Sequence, residues 1–263
     1  MLDFPKVNRE NSGFQNNFLR AVILIIHLEE ELDFSLYDKQ ILDFFSNYPR
    51  KSKKPKNLLS FRINSPSGKN VISESKQSSV ELKTIDGKRA VTFSANDVQM
   101  EISGDSYTSF EDLVENELSW INEIIKLCKV KIKTLHLKKI NLIGYEVTEN
   151  QEPISIAERI FNENLISNNS YIPSNQNTFK YKLDNLSYSY PDFNLNVKYG
   201  IISDNETSGR LVLDIDVFKT EFNKQYQNEM IETLVLLNNK IFNVFHWALN
   251  SEAKEILKSK KSL

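Results

Sequence analysis

The run Leu211-Val-Leu-Asp-Ile-Asp-Val-Phe218 constrains the fold more than any other stretch of this chain. Successive residues of a strand point to opposite faces. Leu211, Leu213, Ile215 and Val217 therefore share one face, and Val212, Asp214, Asp216 and Phe218 the other. An apolar face backed by a polar one is the pattern of an antiparallel strand whose sheet is covered on one side. Similar runs surround it: LLSFRIN, SSVELKTI, RAVTFSA, VQMEISG and TLHLKKINLIGYEV, then TFKYKLDNLSYSY, FNLNVKYGII and RLVLDIDVF. Turn signals separate several of them: Asp86-Gly87-Lys88, Pro191-Asp192 and SDNETSG. Ala21–Ile26, inside RAVILIIHLEE, reads as a strand buried on both faces or as a turn of helix.

Two segments carry helical periodicity instead. In YTSFEDLVENELSWINEIIKLC, Phe110, Leu113, Val114, Leu118, Ile121, Ile125 and Cys128 recur at helical intervals, with Thr108 and Glu111 at capping-box spacing. In QNEMIETLVLLNNKIFNVFHWALN the stripe is Met230, Leu234, Leu237, Ile241, Phe245 and Ala248. Shorter helices are expected at SLYDKQILDFFSNY, at ISIAERIFNENLI and, capped by Ser251, at SEAKEILKSKK. The expected class is α+β: one or two antiparallel sheets with long amphipathic helices packed on one face. The chain divides into residues 1–130 and 131–263, two α+β halves packed as one globular unit. Each half reads strand, helix, several strands, long helix; this is a repeat of element order, not of residues.

The 263 residues are 40% hydrophobic and 26% charged, long enough to bury a core without disulfides. Cys128 is the single cysteine, which fits a reducing compartment. The N-terminal residues lack the basic-then-apolar layout of a signal peptide, and Ala21–Ile26 is the longest apolar run, too short to span a bilayer. A cytoplasmic protein with no membrane association is expected. A net charge of −2 gives no global attraction to nucleic acid, so any electropositive site has to be local.

Phosphate contacts would come from two basic clusters. Arg50, Lys51, Lys53, Lys54 and Lys56 lie in PRKSKKPKN, which reads as a solvated loop. Lys129, Lys131 and Lys133 precede a strand, with Lys138 and Lys139 beyond them. Phe179, Tyr181, Tyr188, Tyr190, Phe193 and Tyr199 could stack bases, although β-formers more often fill a half-buried face. Asp214 and Asp216 would lie about 6.7 Å apart along a strand, close enough to share a cation only if further oxygen ligands join them. The plainer reading pairs them with basic residues of a neighbouring strand, Lys198 and Arg210 being the candidates. His27, His136 and His246 are scattered, and the seven glycines form neither GxGxxG nor a Walker A loop. No cofactor and no metal site is expected.

GRLVLDIDVF, a polar spacer and ETLVLLNNKIFNVFHWALNSEAKEIL together resemble the end of a sporadically distributed, uncharacterised bacterial protein family of similar length. That family ends in a strand with two acidic residues and a helix with an aromatic-Trp-Ala segment, matched here by Asp214, Asp216, Phe218, Phe245, Trp247 and Ala248. MEISGDSYTSFEDLVENEL resembles its strand-turn-helix step; LKKINLIGYEV is a loose counterpart of its middle strand and lacks the arginine. The resemblance implies no activity. The family's patchy occurrence resembles that of antiphage-defence and toxin–antitoxin genes.

Three readings follow, in order. The first is a non-enzymatic interaction protein with a protein partner or a second copy of itself, such as the antitoxin or accessory component of a mobile two-gene system. The second is a nucleic-acid-binding protein using the basic clusters and Tyr-rich strands. The third is an enzyme of unrecognised type.

Overall fold

The computed structural model describes residues 4, 18–62, 71–146, 153–166, 181–204, 208–220 and 229–259, without the side chains of 53–62, 71–78 and 153. Its centre is one antiparallel sheet of nine strands. The first five are β1 Leu19–Leu28, β2 Arg50–Arg62, β3 Val71–Lys83, β4 Arg89–Ser94 and β5 Asp97–Ser103. The other four are β6 Ile132–Glu146, β7 Tyr181–Ser189, β8 Asn194–Ser203 and β9 Ser208–Lys219. Their spatial order is β2-β3-β4-β5-β1-β6-β9-β8-β7. Strands β1 and β6 pair side by side, Leu24 opposite Leu137 and Ile26 opposite Leu135, so a single sheet crosses residues 130–131. The turn between β3 and β4 places Gly87 at φ 72°, a conformation that favours glycine.

The α+β class and the antiparallel sheet agree with the sequence pattern, but the sheet dominates. The described α-helices are α1 Asp38–Phe44, α2 Phe110–Leu113, α3 Ser119–Cys128, α4 Pro153–Ile160, α5 Glu163–Ile166, α6 Glu229–Ala248 and α7 Ser251–Lys258. Only α6, at 20 residues, is long. The first periodic segment is divided by a π-helical turn at Val114–Leu118, between α2 and α3. Its N-cap is Ser109, whose side chain accepts from the Asp112 amide, while the Thr108 hydroxyl bonds the Asp112 carboxylate. The expected ISIAERIFNENLI helix breaks at Phe161–Asn162. There the Asn162 N–H donates to the Ala248 carbonyl at 2.8 Å, and Phe161 bridges to Leu249. The cap of α7 is Asn250 rather than Ser251, because its side chain reaches the Ala253 amide. On α6, Val244 takes the buried place expected for Phe245, which is half-buried.

The basic run expected as a loop is part of β2. Strand β2 is at one border of the sheet. Lysine and proline are the residues that suit such an edge: Pro55 needs no outward N–H partner, and like charges repel a second edge. Burial of β1 also differs from expectation. Val22, Leu24, Ile26 and Leu28 are buried, whereas Ile23, Ile25 and His27 on the opposite face are only partly so. The core continues across that first face through Met100, Leu137, Ile215 and Val197, joined by Leu113, Ile121, Leu234 and Ile241 from the helical segments. No described helix is long and apolar enough to cross a membrane.

Candidate functional site

The second face of the central strands carries a group of paired polar side chains. In β6, Leu135 and Leu137 turn to the core, so His136, Lys138, Ile140 and Leu142 turn away from it. The register sets Lys138 opposite Asp216 and His136 opposite Phe218. Side chains then pair on the diagonal: Lys138 Nζ lies 2.7 Å from Asp214, and His136 Nδ1 lies 3.3 Å from Asp216. The His136 ring stacks on Phe218 at 4.5 Å, and His27 of β1 meets it edge-on at 5.6 Å. Ile23, Ile25, Ile140 and Leu142 are partly buried around these pairs, and Val212 is buried.

The carboxylate pair therefore belongs to cross-strand contacts. Asp214 pairs with Lys138, which the sequence reading passed over. Lys198 is directly opposite Asp214 in β8 and acts on it only through space. Arg210 instead binds Asp204 at the end of the hairpin. Burial raises the Asp214 pKa, and the Lys138 ammonium opposes that rise. Its Oδ1 is buried and accepts no hydrogen bond from a described residue. Among the described residues, no three His, Cys, Asp or Glu side chains are placed together to hold a metal ion.

The two basic clusters are far apart. Four strands separate β2 from β6, which at ordinary strand spacing is about 24 Å. Arg50 is exposed and Lys51 pairs with Asp38 at 2.9 Å. The side chains of Lys53, Lys54 and Lys56 lie outside the described residues. Lys129 ends α3 in the left-handed conformation at φ 55°, the Lys131 carbonyl accepts from the Glu29 amide, and Lys133 is exposed. Of the aromatic residues, Phe179 lies outside the described residues. Phe193 and Tyr199 are buried, Tyr188 and Tyr190 pack against the core, and Tyr181 is 67% exposed. Phe245 and Trp247 complete the packing at the end of α6. Trp247 meets Phe4 edge-on at 5.1 Å, and its carbonyl accepts from the Asn162 side chain. Burial, aided by Lys254 and Lys258, lowers the pKa of His246 beside it.

A second polar cluster is on the core side. Arg89 of β4 forms an ion pair with Glu117 of the π-helical turn, and Tyr48 donates to the same carboxylate at 2.8 Å. Burial, then the neighbouring Glu117 charge, pushes the Tyr48 hydroxyl pKa far up. A signal for this cluster was present in the sequence: Glu117 is four residues from both Leu113 and Ile121, on the apolar stripe. A charge at such a place requires a buried partner. A cleft of about 610 Å³ beside α4, α5 and α7 is lined by Glu158, Asn162, Glu163, Asn164 and Asn250. Asn162 and Asn250 are engaged in capping and in tying these helices to one another.

No model of a known protein family matches the chain, and no curated protein matches it significantly.

Proposed function

We propose that the protein is a non-enzymatic interaction module whose second sheet face receives a protein partner. In this reading the helices cover one face only, and the two halves are repeats of one layout: a central strand, a helix, a meander and a closing helix. The observation that carries it is the band of half-buried Ile23, Ile25, Ile140, Leu142 and Phe218 across the three central strands β1, β6 and β9. Polar groups within that band are engaged in place: Lys138 is paired with Asp214, and the His136 ring lies 3.3 Å from Asp216. An apolar surface whose polar groups are already engaged suits a protein surface better than a polyanion, which would need unpaired lysines along one track. The distance between the two basic clusters supports the same preference. As the antitoxin or accessory component of a two-gene system, the protein would be expected to bind the product of the adjacent gene.

Site-specific photocrosslinking tests this. A photoreactive residue at Ile23, on the second face, is compared with one at exposed Glu255 on α7. A discrete protein adduct from Ile23 alone is the expected result. Adducts to nucleic acid would select the second reading, and equal adducts from both positions would overturn the assignment of the face.

A further inference from the structure

The two borders of the sheet differ in chemistry. Strand β2 carries Arg50, Lys51, Lys53, Lys54, Lys56 and Arg62 together with Pro55, a composition that rejects another strand. Strand β7, at the opposite border, reads Tyr-Lys-Leu-Asp-Asn-Leu-Ser-Tyr-Ser over Tyr181–Ser189. It has no proline, one lysine and one aspartate, and its register with β8 is unbroken from Tyr181 to Ser189.

The hairpin fixes which backbone groups of β7 point outward. The Tyr190 N–H donates to the Phe193 carbonyl across the two-residue loop, making 190 and 193 a hydrogen-bonded pair. Such pairs alternate along an antiparallel ladder. Tyr188, Leu186, Asp184 and Lys182 therefore direct their backbone groups to β8. Tyr181, Leu183, Asn185, Ser187 and Ser189 direct theirs away from the sheet, towards a place where no described strand lies.

From this geometry we infer that β7 pairs with β7 of a second copy, antiparallel about a two-fold axis at Leu183. Charge selects this register. An axis at Lys182 would oppose two lysines, and an axis at Asp184 two aspartates. Within each copy Lys182 and Asp184 already lie 3.7 Å apart as an ion pair; with the axis at Leu183, Lys182 of each copy is also opposite Asp184 of the other, so the four charges alternate in sign. Both pairs occupy non-hydrogen-bonded positions, where side chains approach most closely. Leu183 meets its own copy, and Tyr181, the most exposed aromatic ring among the described residues, meets Asn185. Two-fold interfaces require this self-complementarity. The inference is independent of the partner proposed for the second face, because it uses a strand edge and none of that face's central residues.

Sedimentation of the full chain across a concentration series tests the pairing, with far-ultraviolet circular dichroism as the check on folding. Wild-type protein is expected to dimerise. Lys182→Glu, which turns both attractions into repulsions, is expected to weaken the dimer roughly tenfold or more. Adding Asp184→Lys to it restores opposite charges and is expected to restore the dimer. Should Lys182→Glu lose its fold, Asp184→Lys alone reports the same repulsion. A wild-type chain that stays monomeric would overturn the inference. So would a folded Lys182→Glu protein as dimeric as wild type, or a folded double variant no more dimeric than the single one.

Discussion

Replacing Arg89 by methionine should be among the most damaging single changes in this protein. The Glu117 side chain is 3% exposed and that of Arg89 17%. Without the guanidinium, the carboxylate keeps only the Tyr48 hydroxyl as a side-chain donor among the described residues. Breaking a buried pair from one side costs about 3–5 kcal/mol, because it leaves an uncompensated charge. Arg89 also donates to the Ser106 carbonyl at 2.7 Å, so the loss should be near the top of that range. Glu117→Leu should cost less, about 1–2 kcal/mol, since Arg89 retains Ser106, Asp112 and some solvent. The double variant, with both charges gone and apolar volume in their place, should cost about 2 kcal/mol. The implied coupling is about 4–5 kcal/mol. Urea unfolding of the four proteins followed by circular dichroism measures it, provided the denaturant slopes agree. Additivity of the two single changes to within about 0.5 kcal/mol would refute the claim that this pair ties the π-helical turn to the sheet.

Further expectations follow from the same structure. Asp214 titrates above its ordinary value of 3.8 because it is buried, so the fold prefers its protonated form. That contribution is complete below the ordinary value and is lost as pH rises through the raised one. Asp214→Asn, which keeps a neutral group, should therefore gain stability relative to wild type between acid pH and pH 7. A gap that narrows over that interval would contradict this. Burial pushes the Cys128 thiol up to about 11, so its native alkylation at pH 8 should be roughly 100-fold slower than in urea. Equal rates would show that Cys128 is accessible. Gly200 has φ 150°, and a Cβ there would collide with the Lys182 carbonyl. Gly200→Ala should lower unfolding stability by about 2 kcal/mol or more, and a neutral effect would refute the close approach of β7 and β8.

Much of the secondary structure was legible because it rests on periodicity. Alternation in Leu211–Phe218 placed four residues on each face of β9, and the register bears out that division. The helical spacing of Met230, Leu234, Leu237 and Ile241 likewise marked the buried side of α6. Caps were misplaced by one residue at Ser109 and Asn250, since neighbouring polar residues compete for the same amides and geometry chooses among them.

The candidate site was less legible, because its contacts cross long stretches of chain. The two aspartates could be put on one face from sequence, yet their partners depended on which strand lies beside β9. Sequence proximity suggested Arg210 and Lys198; the tertiary arrangement supplied Lys138 and His136 from β6. The Lys-rich run was misread for a related reason. Charge and proline indicate a loop when a segment is considered alone, but they also suit a strand that pairs on only one side. Local alternation and helical spacing determine which residues form strands and helices and which side each presents. Strand order, which decides what is an edge and which charges meet, is settled only when the whole chain closes on one core.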